Sequence, residues 1–130
     1  MRRVIDWMEQ AKGEFKAARD LYTTGNYAIC CFMCQQAAEK ALKAILEHCG
    51  SPSHGHNLLA LANEISRYVK VPRRVVTACR KLNRYYIPTR YPNAFPSGAP
   101  IYMYDSSDAE EALRLAEEVI NFARKVTGIT

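Results

Sequence analysis

Arg90 stands among aromatic residues in "YYIPTRYPNAFPSGAP", residues 85–100, where prolines recur every four positions at 88, 92, 96 and 100. A guanidinium presents a planar fork of donors that matches a phosphate, and a ring beside it offers a face on which a base can stack. Tyr86 and Tyr91 flank Arg90, with Arg84 and Lys81 just upstream, so these five residues form a candidate phosphate- and base-binding group. The same arginine admits a structural reading, in which it turns inward, pairs with Glu39 or with loop carbonyls, and pins the loop to the body of the protein. Glu39, with Gln35 one turn before it, is the supporting residue. Both readings stay open.

Two other groups invite chemistry. Cys31 and Cys34 have the spacing of a metal or redox motif, but they fall on the apolar face of a helical pattern with no second pair of ligands nearby, which makes them core residues. His48, His54 and His56 suggest a metal site or a distant catalytic base. The blander reading has His56 entering and capping a helix while His54 faces solvent. No metal and no cofactor is expected.

Charge gathers where these residues lie. The net charge is +5, yet residues 65–104 hold eight of the eighteen Lys and Arg and no Asp or Glu, leaving the other ninety residues with a balance of −3. Six of the eight tyrosines lie in the same third of the chain. Basic and aromatic residues interleaved suit a phosphate-bearing partner, against the alternative of a solvated basic helix face.

The elements that must position these residues are helices. Val4, Met8, Ala11, Phe15, Ala18 and Tyr22 form one apolar stripe, ended by "TTGN" at 23–26. A second helix is predicted over Tyr27 to Cys49, closed by Gly50 and Pro52. Its apolar side carries Cys31, Cys34, Ala38, Ala41, Leu42 and Ile45, with Gln36, Lys40, Lys43 and Glu47 expected on an exposed opposite face. Alanines at 37, 38, 41 and 44 permit close helix approach and place this helix near the centre of a bundle. A third helix is expected from about Asn57 to Tyr68, and a fourth after Pro72 carries Val75, Val76, Cys79, Leu82 and Tyr86. The last opens at Ser107 with Glu110 three residues on, the spacing of a capping box, and runs to Gly128. The expected fold is all-α, a mostly up-and-down bundle of about five helices in one domain spanning 1–130. A proline-rich connection of nearly twenty residues before the last helix is unusual in so small a domain, so it is expected to be packed and used.

Composition narrows the setting. Hydrophobic residues at 48% and charged residues at 24% suit a globular chain. No run approaches the ~20 apolar residues of a membrane span, acidic residues interrupt the N-terminal region before a signal-peptide core could form, and five cysteines do not make a secreted framework. A cytoplasmic protein is expected.

"CFMCQQAAEKALKAILEHCG", "HGHNLLAL", "YYIPTRYP" and "DAEEALRLAEEVINF" together resemble the HEPN domain family over nearly the whole chain, most specifically in "QQAAEKALKA" at 35–44 followed by "RYP" at 90–92. The resemblance implies a helical bundle that forms homodimers, sits beside a minimal nucleotidyltransferase in toxin–antitoxin pairs, and binds nucleotides or cleaves RNA. RNA-cleaving members carry an arginine followed after four to six residues by a histidine, near the start of the final helix. Here all three histidines precede Arg80, Arg84 and Arg90, so that pair is missing. Arginine remains a pure donor and cannot serve as the base, and a tyrosine, with an ordinary pKa of ~10, would need a large shift. The expected function is therefore a module binding nucleotide or RNA phosphate, partnered with a nucleotidyltransferase. The alternatives are a metal-independent ribonuclease with a non-standard residue set, and a dimerising interaction scaffold that binds no nucleotide.

Overall fold

The computed structural model describes residues 2–130. Five helices account for most of them: α1 (Arg2–Thr23), α2 (Tyr27–His48), α3 (Leu58–Ile65), α4 (Arg73–Asn83) and α5 (Ser106–Thr127). Single 3-10 turns at Pro92–Ala94 and Pro100–Tyr102 punctuate the connection between α4 and α5, each with a proline at its start, where a missing N–H costs nothing. No strand occurs among the described residues, and no helix is long and apolar enough to cross a membrane.

α2 is the central element, packed against each of the other four helices. Ala37, Ala38, Ala41 and Ala44 are all fully buried, and their small side chains let α1 and α5 lie close along it. Gly50 ends the helix in a left-handed conformation (φ +77°) that an L side chain rarely adopts, while the N–H of Ser51 closes back on the carbonyl of Leu46 at 2.8 Å. Cys30, Cys31, Cys34 and Cys79 are buried and free. Burial pushes the Cys31 thiol up and that of Cys79 up to about 12, which keeps both protonated and unreactive.

Five expectations are corrected here. The polar side of α2 is not an exposed face: Lys43 is buried, and Lys40 is half-buried against Glu14 of α1 at 3.1 Å. The helical period says which residues share a side, not how many neighbours surround the helix, and α1 with the segment before α3 covers this side. α3 stops at Ile65 rather than Tyr68, and its cap is Asn57, not His56, because the Asn57 Oδ1 accepts from Leu59 N and Ala60 N. α4 ends at Asn83, so Tyr86 belongs to the connection. The capping box of α5 is built two residues earlier than expected, from Asp105 and Asp108, which accept each other's backbone N–H at 3.0 and 2.9 Å.

The connection is fixed at both ends. Thr89 is buried with its hydroxyl donating to Tyr85 O, and Pro100 is buried where the second 3-10 turn meets α2. Tyr104 packs edge-on against Tyr85 at 5.9 Å and Phe95 at 6.4 Å, whereas Tyr102 stands 81% exposed.

Candidate phosphate-binding site

One side of α2 supplies the floor. Phe32, Gln35, Gln36, Glu39 and Lys43 recur at helical spacing, so they line one stripe from the ring of Phe32 to the buried Glu39. Gln35 and Glu39 lie in the interior rather than at a half-exposed flank, and both are spent on the segment before α3. Gln35 Nε2 donates to His56 O at 3.2 Å, and Glu39 accepts from Lys43 Nζ and from His56 Nδ1, each at 3.0 Å. A buried carboxylate needs such a partner, and the cation it finds is Lys43, not Arg90.

His56 is thereby oriented. An ionised carboxylate only accepts, so Nδ1 carries the proton and Nε2 is the acceptor nitrogen of the neutral ring. The ring lies nearly parallel to Tyr86, centroids 5.1 Å apart and planes at 18°, with just over half of its side chain in solvent. A reciprocal lock holds the neighbourhood together: Asn83 Oδ1 accepts from Leu58 N, and Asn83 Nδ2 donates to Asn57 Oδ1, both at 2.8 Å. The end of α4 is thus tied to the beginning of α3.

Arg90 also packs on Tyr86. Its guanidinium carbon lies 4.2 Å from the ring centroid of Phe32, 4.7 Å from Tyr86 and 5.1 Å from Tyr91. Such contacts contribute about 0.5–1 kcal/mol each at exposed positions. Nε and Nη2 both donate to Tyr86 O, which turns the backbone back on itself; the Nε bond measures 2.8 Å. Among the described residues no carboxylate pairs with Arg90, and Nη1 makes no hydrogen bond. The arginine is half-buried, and it anchors the loop through a carbonyl while its positive charge stays unneutralised.

Beside this cluster opens a cleft of about 640 Å³ lined by His56, Asn57, Asn83, Arg84, Tyr86, Ile87 and Pro88. Of the five residues proposed to contact a ligand, Tyr86 and Arg84 line the cleft, Arg90 packs on Tyr86, and Tyr91 packs on Arg90. Lys81 lies elsewhere, 3.4 Å from Glu111 of α5. Phe32, Asn57 and Asn83 are parts of this site that the sequence reading misses. An asparagine directly before "LLAL" is an N-cap signal, but nothing local links Asn83 to it across twenty-six residues. Among the described residues no group of three or more His, Cys, Asp or Glu side chains comes together as a metal site needs.

The all-helical body matches one class of protein. The chain belongs to the HEPN domain family, whose model matches residues 4–126. Among solved structures it is similar to TT1696 from Thermus thermophilus, at 41% identity and a TM-score of 0.94 over 97% of this chain and 99% of that one. It is also similar to ST0689, an archaeal HEPN homologue, at 33% identity and a TM-score of 0.81 over 96% and 98% of the two chains. An HEPN domain protein of Thermotoga maritima is 28% identical, with a TM-score of 0.78 over 96% and 99%. No curated protein matches the chain.

Proposed function

We propose that this HEPN protein binds the phosphate of a nucleotide or RNA at the cleft between α3 and the end of α4, and that it works in the cytoplasm as a homodimer paired with a minimal nucleotidyltransferase. The observation that carries the phosphate site is Arg90: a half-exposed guanidinium set among three rings, next to a cleft whose rim holds Arg84, neither arginine having a carboxylate partner among the described residues. A phosphate between the two supplies the missing negative charge, and a base stacks on Tyr86 or Tyr91. The partner and the dimer rest on membership of the family alone. Calorimetric titration with a mononucleotide tests the site: binding is expected, weakened at least tenfold by Arg84→Ala or Arg90→Ala, since a hydrogen bond to a charged group contributes about 1.5–3 kcal/mol. Absence of binding to the wild type at low salt overturns the site and favours a plain interaction scaffold.

A second reading has one specific observation in its favour, the pair of Glu39 and His56. With Nδ1 held by a buried carboxylate, Nε2 has the orientation of a general base. In this reading it takes the proton of a ribose 2′-hydroxyl, the oxygen attacks the adjacent phosphorus, and the bond to the 5′-oxygen breaks. A cyclic phosphate and a 5′-hydroxyl result, the leaving oxygen regaining a proton from the imidazolium. This base is one of the three histidines that the sequence offers as a distant catalytic base. Labelled RNA incubated in excess chelator is cleaved by the wild type and not by His56→Ala if the reading holds; intact RNA with both ends it.

A further inference from the structure

The five cations of α4 and its cap, Arg73, Arg74, Arg80, Lys81 and Arg84, fall into two sets. With Arg73 as the origin and ~100° per residue, Arg80 and Arg84 lie within about 20° of it, whereas Arg74 and Lys81 lie about 80–100° around the helix. The second set faces α5 and is neutralised there, Arg74 by Glu118 at 3.0 Å and Lys81 by Glu111 at 3.4 Å. The first set points away from the core and is exposed, and among the described residues none of its members makes an ion pair or a side-chain hydrogen bond.

That outer stripe is costly to the helix that carries it. No acidic residue occurs on α4, Arg73 stands at the positive end of the helix dipole, and Arg80 and Arg84 repel one another one turn apart. A merely solvated face would gain by interspersed acids, as the exposed side of α1 shows with its pairs Lys12–Glu9 and Lys16–Asp20. The stripe is also continuous with two hollows. Arg84 borders the Tyr86 cleft, while Arg73 and Arg80, with Lys70 and the half-buried Thr77, border a second hollow of about 760 Å³ at the start of α4. From Arg73 to Arg80 is about 10 Å along the axis, and from Arg80 to Arg84 about 6 Å.

We propose that Lys70, Arg73, Arg80 and Arg84 form a track for the backbone of a single-stranded polynucleotide, which leads its end into the aromatic cleft at Tyr86. This rests on the phosphate site proposed above and extends it from one nucleotide to a chain of several. The stripe is one side chain wide, so it follows one strand of phosphates, and the rings at its end take an unpaired base.

Fluorescence anisotropy with 5′-labelled single-stranded RNA of two, four and eight nucleotides, beside a labelled mononucleotide, tests the track. Affinity is expected to rise at least tenfold from the mononucleotide to the octamer. The double variant Arg73→Ala with Arg80→Ala should lose that gain while binding the mononucleotide as the wild type does. Arg73→Lys with Arg80→Lys should retain most of it, whereas Arg90→Ala should weaken every probe. Affinity independent of length, or an octamer bound equally by wild type and double alanine variant, overturns the track and leaves the phosphate site standing. Absence of binding to every probe overturns both.

Discussion

Glu39 is held almost wholly out of water between Lys43 and His56, and two structural decisions depend on it. Removing one partner of a buried ion pair leaves the other charge uncompensated, which costs about 3–5 kcal/mol. Glu39→Ala strands the Lys43 ammonium, which is then left with the ring of Trp7 at 5.5 Å, and should destabilise the protein by about that amount in urea unfolding. Glu39→Leu combined with Lys43→Met removes both charges and should cost far less; a double-variant cost equal to the sum of the Glu39→Leu and Lys43→Met costs would show that the two residues are not coupled. The need for a cationic partner was legible in the sequence, but its identity was not. Lys43 lies one turn from Glu39 yet reads as solvent-facing until α1 is seen to cover it, and His56 reaches Glu39 only because the segment before α3 folds back over α2. Arg90 illustrates the converse. Anchoring by a loop carbonyl and positive charge left free look like rival outcomes in the sequence, and one side chain achieves both, because its Nε edge turns to Tyr86 O while the rest of the fork is left without a carboxylate.

Helices α1 and α2 were legible to within a residue at their shared boundary, since apolar periodicity, "TTGN" and Gly50 are local signals. The start of α5 was not. Carboxylates and serines crowded within 105–110 allow several capping registers, and the one chosen puts Asp105 before the first turn. The Asp108 N–H donates to the Asp105 carboxylate and holds it below its ordinary range. A depressed folded-state pKa stabilises the fold above the ordinary carboxylate value and ceases to do so as pH falls through the depressed one. Thermal melts at neutral pH should therefore show a lower Tm for Asp105→Ala, with Asp105→Asn close to wild type because asparagine also caps. The difference between Asp105→Ala and wild type should shrink in acid below the ordinary range; the same difference at every pH would place the effect outside the cap. The fourth helix carried a further ambiguity: the helical period sorts the five cations of α4 and its cap into two sides, but only the position of α5 decides which side is neutralised.

Across the whole molecule the charge asymmetry seen in the sequence becomes a surface. Acidic residues of α5 neutralise one side of α4, and the cations left without an ion pair among the described residues collect on the side away from the core, from Lys70 to Arg84, whose end borders the cleft at Tyr86. That arrangement was foreshadowed by an acid-free third of the chain, but only the fold shows that its free charges are contiguous and end at aromatic rings. Phosphate binding by such a surface proceeds by release of condensed counterions, with a slope of about −0.7 in log K against log salt for each phosphate neutralised on a single strand. The association constant of the wild-type protein for an eight-nucleotide single-stranded RNA, measured across a salt series, tests this most directly. Four phosphates held by the track and cleft predict a straight line with a slope of about −3. A slope near zero, or no binding at the lowest salt, would contradict it.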